Sequence, residues 1–145
     1  HIAHDCQIGN NVVIANNVPL GGHVIIEDSV VIGGNSAVQQ FTRIGRLAMI
    51  GGMTGVLKDV IPFGLSFGNR NYLQGINLIG LRRKKYDNKK ILELDSAYKR
   101  IFSSKKFHEN LAKINGEFKE NELVKEVINF IEKDKKRPIC TPLAK

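Results

Sequence analysis

A bulky aliphatic residue recurs every six positions from Ile2 to Val56. Read in sixes from Ile2, ten consecutive hexads begin with Ile, Leu or Val, and the second position is Gly or Ala in seven of the ten. A helix of about 3.6 residues per turn would scatter these side chains around its axis. Short strands joined by tight corners would instead point all of them inward. The repeat therefore predicts a mainly β solenoid over residues 1–61.

Three hexads make one 18-residue coil of a triangular parallel β-helix, in which residues 18 apart lie above one another. Gly, Asn and Asp are common at the third and fourth hexad positions, where they supply corners that tolerate left-handed dihedrals. Ten hexads give only three and one third coils, and the chain begins inside a repeat without Met. We expect residues 1–145 to be the C-terminal part of a longer protein that carries earlier coils.

The six-residue period ends after Ile61, and residues 62–86 read as a Gly/Asn-rich connector. Asp87 is then suited to cap a helix whose apolar residues share one face. A second helix is predicted from Lys105 to Ile114 and a third from near Asn121, followed by an irregular tail. A small α-helical domain over 87–145 should therefore cap the β-helix. The apolar face of the first of these helices consists of Ile91, Leu94, Tyr98, Ile101 and Phe102.

Charge is distributed unevenly along the chain. Residues 1–61 hold three Lys or Arg and four Asp or Glu, so 62–145 hold the other nineteen and ten, and the formal charges are near −1 and +9. This asymmetry suggests an acidic partner for the second half, although lysines that only solvate helix faces explain it too. No apolar run is long enough for a membrane span, which predicts no membrane insertion and a cytoplasmic location. Two distant cysteines, Cys6 and Cys140, are expected to be reduced thiols.

The 18-residue spacing collects polar residues on one edge of the prism. His4 should lie beneath Gly22 and Asp5 beneath His23. Three kinds of site are compatible with this edge. It could bind zinc, catalyse proton transfer, or simply be solvated. The whole cluster consists of His1, His4, Asp5, Gly22, His23, Gln39 and Gln40.

Acid/base chemistry uses these residues most completely. An imidazole held by a carboxylate such as Asp5 can accept a hydroxyl proton at neutral pH. The backbone N–H of Gly22, with no side chain in front of it, could stabilise an oxyanion. Zinc is disfavoured, because His1 and His4 on one β corner should point toward different neighbours. No serine or cysteine belongs to the cluster, which favours direct attack by the acceptor over a covalent enzyme intermediate.

Longer motifs carry a closer resemblance. The stretches HIAHDCQIGNNVVIANNVPLGGHV, IGGNSAVQQFTRIG, GNRN and GINLIGLRRK, with the helical tail, resemble the UDP-N-acetylglucosamine O-acyltransferases of lipid A synthesis over the whole chain. The resemblance implies a left-handed β-helix and a homotrimer with active sites between adjacent prisms. It implies transfer of a 3-hydroxyacyl group from acyl carrier protein to the glucosamine C3 position of UDP-N-acetylglucosamine. No cofactor or metal is implied, since phosphopantetheine arrives on the carrier.

The resemblance also assigns roles to residues. His4 is the general base, Asp5 orients it, and the Gly22 amide is the oxyanion donor. Gly52 leaves room for the end of the acyl chain. Two positions depart from the family, which often has histidine in place of Gln39 and a carboxylate in place of Ile79, so sugar recognition is expected to differ in detail. The substrate-binding residues implied are His1, His23, Gln39, Gln40, Asn77 and Arg83.

Basic residues beside the cleft give the acidic carrier a candidate docking surface, formed by Arg82, Arg83, Lys84 and Lys85. A nucleic-acid interface is disfavoured, because these residues lack interleaved aromatics and no recognition motif accompanies them. Three alternatives remain open. They are the related N-acyltransferase of the same pathway, an acceptor with an amine at C3, and a non-catalytic or metal-binding β-helix scaffold.

Overall fold

A computed structural model describes residues 1–144 as a left-handed parallel β-helix followed by a small helical domain, which confirms the predicted fold class. The strands of the solenoid are only two residues long because the other four residues of each hexad form the corner and its flanks. The strands are β1 (Gln7–Ile8), β2 (Val13–Ile14), β3 (Ile25–Ile26), β4 (Val31–Ile32), β5 (Ala37–Val38), β6 (Arg43–Ile44), β7 (Met49–Ile50), β8 (Gly55–Val56), β9 (Gly64–Phe67) and β10 (Tyr72–Ile76).

Strand pairing follows the predicted 18-residue coil. On the first face, β1, β3 and β6 stack in parallel, with Gln7 paired to Ile25 and Ile25 to Arg43. On the second face, β2, β4 and β7 stack in the same register. The third face carries β5 and β8. The first residues of the middle and later hexads are buried along the prism axis, where they form the solenoid core of Leu20, Ile26, Ile32, Val38, Ile44, Ile50 and Val56.

Every corner of the solenoid turns at the same hexad position. The fourth residue of each of the first nine hexads lies in the left-handed region, with φ between 57° and 65°. No third-position residue has a positive φ, so the prediction of left-handed dihedrals is confirmed for the fourth position and wrong for the third. The left-handed residues are Asp5, Asn11, Asn17, His23, Ser29, Asn35, Phe41, Leu47 and Met53. Bulky Phe41 and Leu47 adopt this conformation only because the stacked coils impose it.

Residues 62–86 contain more regular structure than the connector expected from composition. Strand β9 pairs in parallel with β7, with Met49 opposite Leu65, so it continues the second face of the solenoid. Strand β10 pairs back onto β9 in an antiparallel hairpin. The tail that was expected to be irregular also returns to the solenoid, where Ile139 bridges Asp59. The boundaries at residues 61 and 86 stay a prediction.

The helices are α1 (Leu78–Arg83), α2 (Asn88–Ile101), α3 (Leu111–Glu117) and α4 (Glu122–Lys133), with a 3-10 turn at Phe107–Asn110. The Asp87 side chain accepts the Lys89 N–H at the start of α2, which confirms the predicted cap. Asn121 caps α4 in the same way. The predicted second helix is divided between the 3-10 turn and α3. Within residues 1–144, none of the helices has the length and apolar character needed to cross a membrane.

A buried ionic network fixes the helical domain to the first face. Arg43 points outward from β6, yet only 10% of its side chain is exposed, because α4 and the tail cover it. Its Nε donates to Asp59 at 2.7 Å, and its Nη1 donates to the Phe130 carbonyl at 2.9 Å. Arg137 from the tail donates to the same carboxylate at 3.3 Å. The ion pair of Arg43 with the fully buried Asp59 carboxylate therefore joins the solenoid to α4 and to the tail.

Candidate active site

The predicted polar edge is present, and its centre is a cluster of three side chains from two adjacent coils. His4 and Asp5 occupy the third and fourth positions of one corner, and His23 lies one coil above Asp5. The Nδ1 atom of His4 is 3.0 Å from Oδ2 of Asp5, and the Nε2 atom of His23 is 3.9 Å from the same oxygen. All three side chains are exposed. The stacked corners therefore bring together two imidazoles and one carboxylate that are 18 residues apart.

The hydrogen bond between His4 and Asp5 favours the ionised form of Asp5 and one tautomer of the His4 ring. It holds the pKa of the Asp5 carboxyl below its ordinary value, and the charge that His23 carries when protonated lowers this pKa further. Asp5 is therefore ionised at neutral pH and accepts the Nδ1–H of His4. That tautomer leaves the lone pair on Nε2 of His4, which lies next to Gly22. His4 can accept a proton at Nε2.

Glycine at position 22 leaves room for the His4 ring below it. A Cβ atom at Gly22 would come within 3.0 Å of both Nε2 and Cε1 of His4. The Gly22 N–H makes no hydrogen bond to any of the residues 1–144. The equivalent N–H of Asn10, at the next corner, donates to the Asp28 carboxylate at 2.7 Å. A third-position N–H in this solenoid can therefore bind an anionic oxygen, and at Gly22 this position lies beside the candidate base.

Aromatic stacking continues the cluster upward by one more coil. The rings of His23 and Phe41 are parallel, with an interplanar angle of 1° and centroids 4.7 Å apart. The rings of His4 and His23 meet edge to face at 5.0 Å. The 18-residue period placed Phe41 above His23, but Phe41 was not among the predicted site residues. Its signal in the sequence is an aromatic residue at a corner position otherwise rich in Asn and Asp.

The other residues predicted on this edge make fewer contacts with the cluster of His4, Asp5 and His23. Gln39 and Gln40 are exposed, and Gln40 is the third-position residue one coil above Gly22. The carbonyl of His1 accepts the Leu20 N–H at 2.8 Å. Within the described part of the chain, the His1 side chain makes no hydrogen bond or ring contact with His4 or His23. The roles assigned to His1, Gln39 and Gln40 stay predictions.

Asn77 and Arg83 belong to a different corner. The Asn77 side chain donates to the Leu47 carbonyl at 2.9 Å and accepts the Gly80 N–H at 3.1 Å, so it caps α1 and ties it to the second corner of the third coil. Arg83 is exposed at the end of α1, as is Ile79 at its start. Within one chain, the structure does not bring this helix to the corner of His4. The capping role of Asn77 was missed, although Gly80 three residues later is compatible with it.

Gly52 lies on the third corner, stacked over Gly34. A Cβ at Gly52 would be 3.3 Å from the Gly34 carbonyl oxygen, and the residue is exposed. The left-handed residue of this corner is Met53, so Gly52 is not required for an unusual φ. Gly34 and Gly52 therefore leave two successive coils without a side chain on this edge, and we call this strip the Gly52 groove.

The predicted carrier surface is compact and unpaired. Its residues follow one another at the C-terminal end of α1, and all are exposed. None of them forms a salt bridge with another residue in the range 1–144. The surface consists of Arg82, Arg83, Lys84 and Lys85.

A sequence profile described as UDP-N-acetylglucosamine O-acyltransferase, domain 2, matches residues 59–140. The chain belongs to this family. Its matched segment includes the hairpin, the four helices and most of the tail. The polar corner at His4 lies in the solenoid that precedes this segment.

Curated members of the family extend the similarity to the solenoid. The acyl-[acyl-carrier-protein]–UDP-N-acetylglucosamine O-acyltransferase of Rhizobium etli is 46% identical over 143 residues, which cover 98% of this chain and 53% of the relative. The protein of the same name from Bartonella henselae is 45% identical over 98% of this chain and 52% of the relative. The chain thus spans about half the length of the curated relatives it matches.

Solved structures of the family have the same fold. The UDP-N-acetylglucosamine acyltransferase of Arabidopsis superposes with a TM-score of 0.89 at 36% identity, over 95% of this chain and 51% of that one. The enzyme of Campylobacter jejuni superposes with a TM-score of 0.85 at 37% identity, over 100% of this chain and 56% of that one. The identification from sequence motifs is therefore confirmed at the level of the family.

Proposed function

We propose that this protein transfers a 3-hydroxyacyl group from acyl carrier protein to the glucosamine C3 position of UDP-N-acetylglucosamine. The names of its relatives give those proteins an acyl-[acyl-carrier-protein] donor, UDP-N-acetylglucosamine and O-acylation. The observation that carries the proposal is the juxtaposition of the His4 ring, the Asp5 carboxylate and the Gly22 amide on one corner. A base, its orienting acid and an oxyanion donor are the groups that acyl transfer requires.

The reaction follows from this arrangement. His4 accepts the proton of the acceptor hydroxyl at Nε2 while Asp5 stabilises the imidazolium that forms. The acceptor oxygen attacks the thioester carbonyl, and the Gly22 N–H binds the oxyanion of the tetrahedral intermediate. The carbon–sulfur bond then breaks, the acyl group stays on the sugar, and the imidazolium returns its proton to the carrier thiolate. No covalent enzyme intermediate is needed, and none of these steps requires a metal or a cofactor of the protein itself.

We also propose that the active site is completed between copies in a homotrimer. The candidate base lies on the first corner, whereas Asn77 and Arg83 lie beside the second. A second prism placed alongside can bring its α1 helix to the first corner of its neighbour. Arg83 would then bind the diphosphate, for which a planar guanidinium is well suited, and His1, His23, Gln39 and Gln40 would contact the sugar and the acyl donor.

Two residues at this site depart from the family pattern. Gln39 replaces a frequent histidine, and Ile79 replaces a carboxylate near the uridine. Ile79 is 64% exposed, so a nucleotide can reach it. Its side chain, however, cannot form a hydrogen bond with the nucleotide. We expect nucleotide binding to rely more strongly on Arg83 than it does in relatives that have the carboxylate.

The test is a transfer assay with 3-hydroxyacyl carrier protein and UDP-N-acetylglucosamine. His4→Ala should lower kcat by about 10²–10⁴-fold, and Asp5→Asn should lower it less, because it misorients the ring without removing the base. His108→Ala is the matched control, since this exposed histidine lies in the helical domain. An acceptor with an amine at C3 tests the alternative substrate in the same assay. Near-normal kcat in His4→Ala would contradict the proposed mechanism.

A further inference from the structure

The side chains of His4, Asp5 and His23 place three metal-ligating atoms within 4.8 Å of one another. Two are imidazole nitrogens and one is a carboxylate oxygen, which are the ligand types that Zn²⁺ binds alongside thiolate. The pair that converges is not His1 and His4 of the HIAH motif. It is His4 and His23, which the 18-residue coil brings together from adjacent corners.

Two of the three donor–donor distances are close to those of a zinc site, and the third, between the two imidazole nitrogens, is at most 4.8 Å. Two ligands at about 2.0–2.1 Å from a tetrahedral ion lie about 3.3 Å apart. The Nδ1–Oδ2 distance from His4 to Asp5 is 3.0 Å, and the Nε2–Oδ2 distance from His23 to Asp5 is 3.9 Å. Shifts of less than about 1 Å bring these pairs to the required separation. The three side chains are exposed, so small rotations displace no core packing, and water can fill the fourth position.

Two contacts already seen in the structure favour metal binding by these side chains. Stacking on Phe41 at 4.7 Å fixes the His23 ring with its Nε2 directed at Asp5. The hydrogen bond from His4 favours the ionised form of Asp5, so the site already contains its negative charge at neutral pH. The remaining cost of binding is displacement of the proton on Nδ1 of His4.

We propose that His4, Asp5 and His23 bind a Zn²⁺ ion, and that this ion inhibits acyl transfer. The inhibition follows from the tautomer. A zinc ion bound at Nδ1 of His4 moves the ring proton to Nε2, and Nε2 then has no lone pair with which to accept the acceptor's proton. The inhibitory part rests on the proposed function of His4, whereas the binding part does not.

Calorimetric titration of the protein with Zn²⁺ tests binding without reference to catalysis. We expect one ion per chain, with an affinity that falls as the pH is lowered because protons compete for the imidazoles. Asp5→Asn and His23→Ala should each weaken binding at least tenfold. His108→Ala and His1→Ala should leave it unchanged. Loss of binding in His1→Ala with normal binding in His23→Ala would place the ion elsewhere and overturn the proposal, as would unaltered binding in Asp5→Asn.

The transfer assay tests inhibition by zinc separately from zinc binding. Zinc should inhibit the protein with a midpoint equal to the calorimetric Kd, and EDTA should restore the activity. Tight binding at the three residues without inhibition would overturn the inhibitory role and would also contradict His4 as the base. Absence of the calorimetric signal in an active enzyme would overturn the zinc site alone and leave the proposed function intact.

Discussion

The Phe41 ring lies parallel to the His23 ring, with centroids 4.7 Å apart and an interplanar angle of 1°. Phe41 also has a left-handed φ of 65°, which is unfavourable for a bulky side chain, and it is half exposed. A large aromatic residue in a strained corner position contributes little to the core. We infer that Phe41 is a positioning residue for His23.

This role predicts opposite effects on activity and stability. Phe41→Asn should lower kcat/KM by about 3–10-fold, since an aromatic pair is worth about 0.5–1.5 kcal/mol. The melting temperature should stay the same or rise, because Asn tolerates the left-handed conformation better than Phe. Phe41→Tyr retains the ring and should retain activity. Kinetics and thermal melting of both variants provide the check, and a joint loss of activity and stability in Phe41→Asn would indicate a purely structural residue.

The groove at Gly52 predicts selectivity for acyl length. Gly52→Met should shift preference toward 3-hydroxyacyl donors that are two carbons shorter by roughly 10–20-fold, because each buried methylene is worth about 0.8 kcal/mol. The sugar KM should hardly change. Donors of different length competing in one assay measure this ratio. Gly116→Met is the control, since a Cβ there meets open space in α3.

A uniform loss of activity on all donors in Gly52→Met would count against the length role, especially with a lowered melting temperature. That result would indicate that Gly52 is needed for the conformation of its corner. The structure does not favour such a role, because Gly52 does not have a positive φ. A Cβ atom at this position would contact the backbone of Gly34, at 3.3 Å from its oxygen and 3.9 Å from its nitrogen, so a small shift of that corner accommodates it.

The basic end of α1 predicts a salt-sensitive interaction with the acidic carrier. Replacing Lys84 and Lys85 with Glu should raise the KM for acyl carrier protein at low salt, and the effect should shrink as salt increases, since exposed charges are screened beyond about 10 Å at 0.1 M. The KM for the nucleotide sugar should stay the same. Steady-state kinetics at two ionic strengths measure both.

Replacing Lys105 and Lys106 with Glu supplies a matched double charge reversal at adjacent exposed positions after α2. If this control raised the carrier KM as much as the α1 variants do, overall charge rather than a docking surface would be responsible. An unchanged KM in the α1 variants at low salt would contradict the surface directly.

The buried carboxylate of Asp59 predicts a large loss of stability. Asp59→Asn leaves Arg43 and Arg137 without their anionic partner, and breaking a buried pair in this way costs about 3–5 kcal/mol. Denaturant unfolding measures the free energy. Asp95→Asn is the same substitution in an i,i+4 pair with exposed Lys99, where Asp95 is only partly buried, and should cost no more than about 0.5 kcal/mol. Equal effects in the two variants would show that burial is not the cause.

Local pattern was sufficient to predict much of this molecule. The hexad period determined the coil, and the coil in turn placed His4 under Gly22 and Asp5 under His23 without any knowledge of tertiary contacts. Asp87 was recognisable as a helix cap because a cap depends on its own next three residues, and the start of α4 was placed near Asn121. These features involve either one repeat or one turn of chain.

Other features depended on how the helical domain sits on the solenoid. Arg43 occupies an outward position of its hexad, and only the packing of α4 and the tail turns it into a buried residue. The β9–β10 hairpin was missed because its pairing with β7 no longer follows the 18-residue spacing. The Asn77 cap of α1 is local and was overlooked, whereas its second bond, to the Leu47 carbonyl thirty residues away, depends on how α1 packs on the solenoid.

The six-residue repeat also limits how insertions in the chain can change the distances between residues of this site. An extra hexad between Asp28 and Gln40 would carry Gln40 one edge around the prism, from above Gly22 to above Asp28, and would separate it from the other residues of the site. A whole extra coil between Gln40 and Gly52 would keep every residue on its own edge and move Gly52 about 4.8 Å farther along the axis. The distance from base to groove is therefore quantised, and a change of donor length finer than one coil has to come from side chains alone.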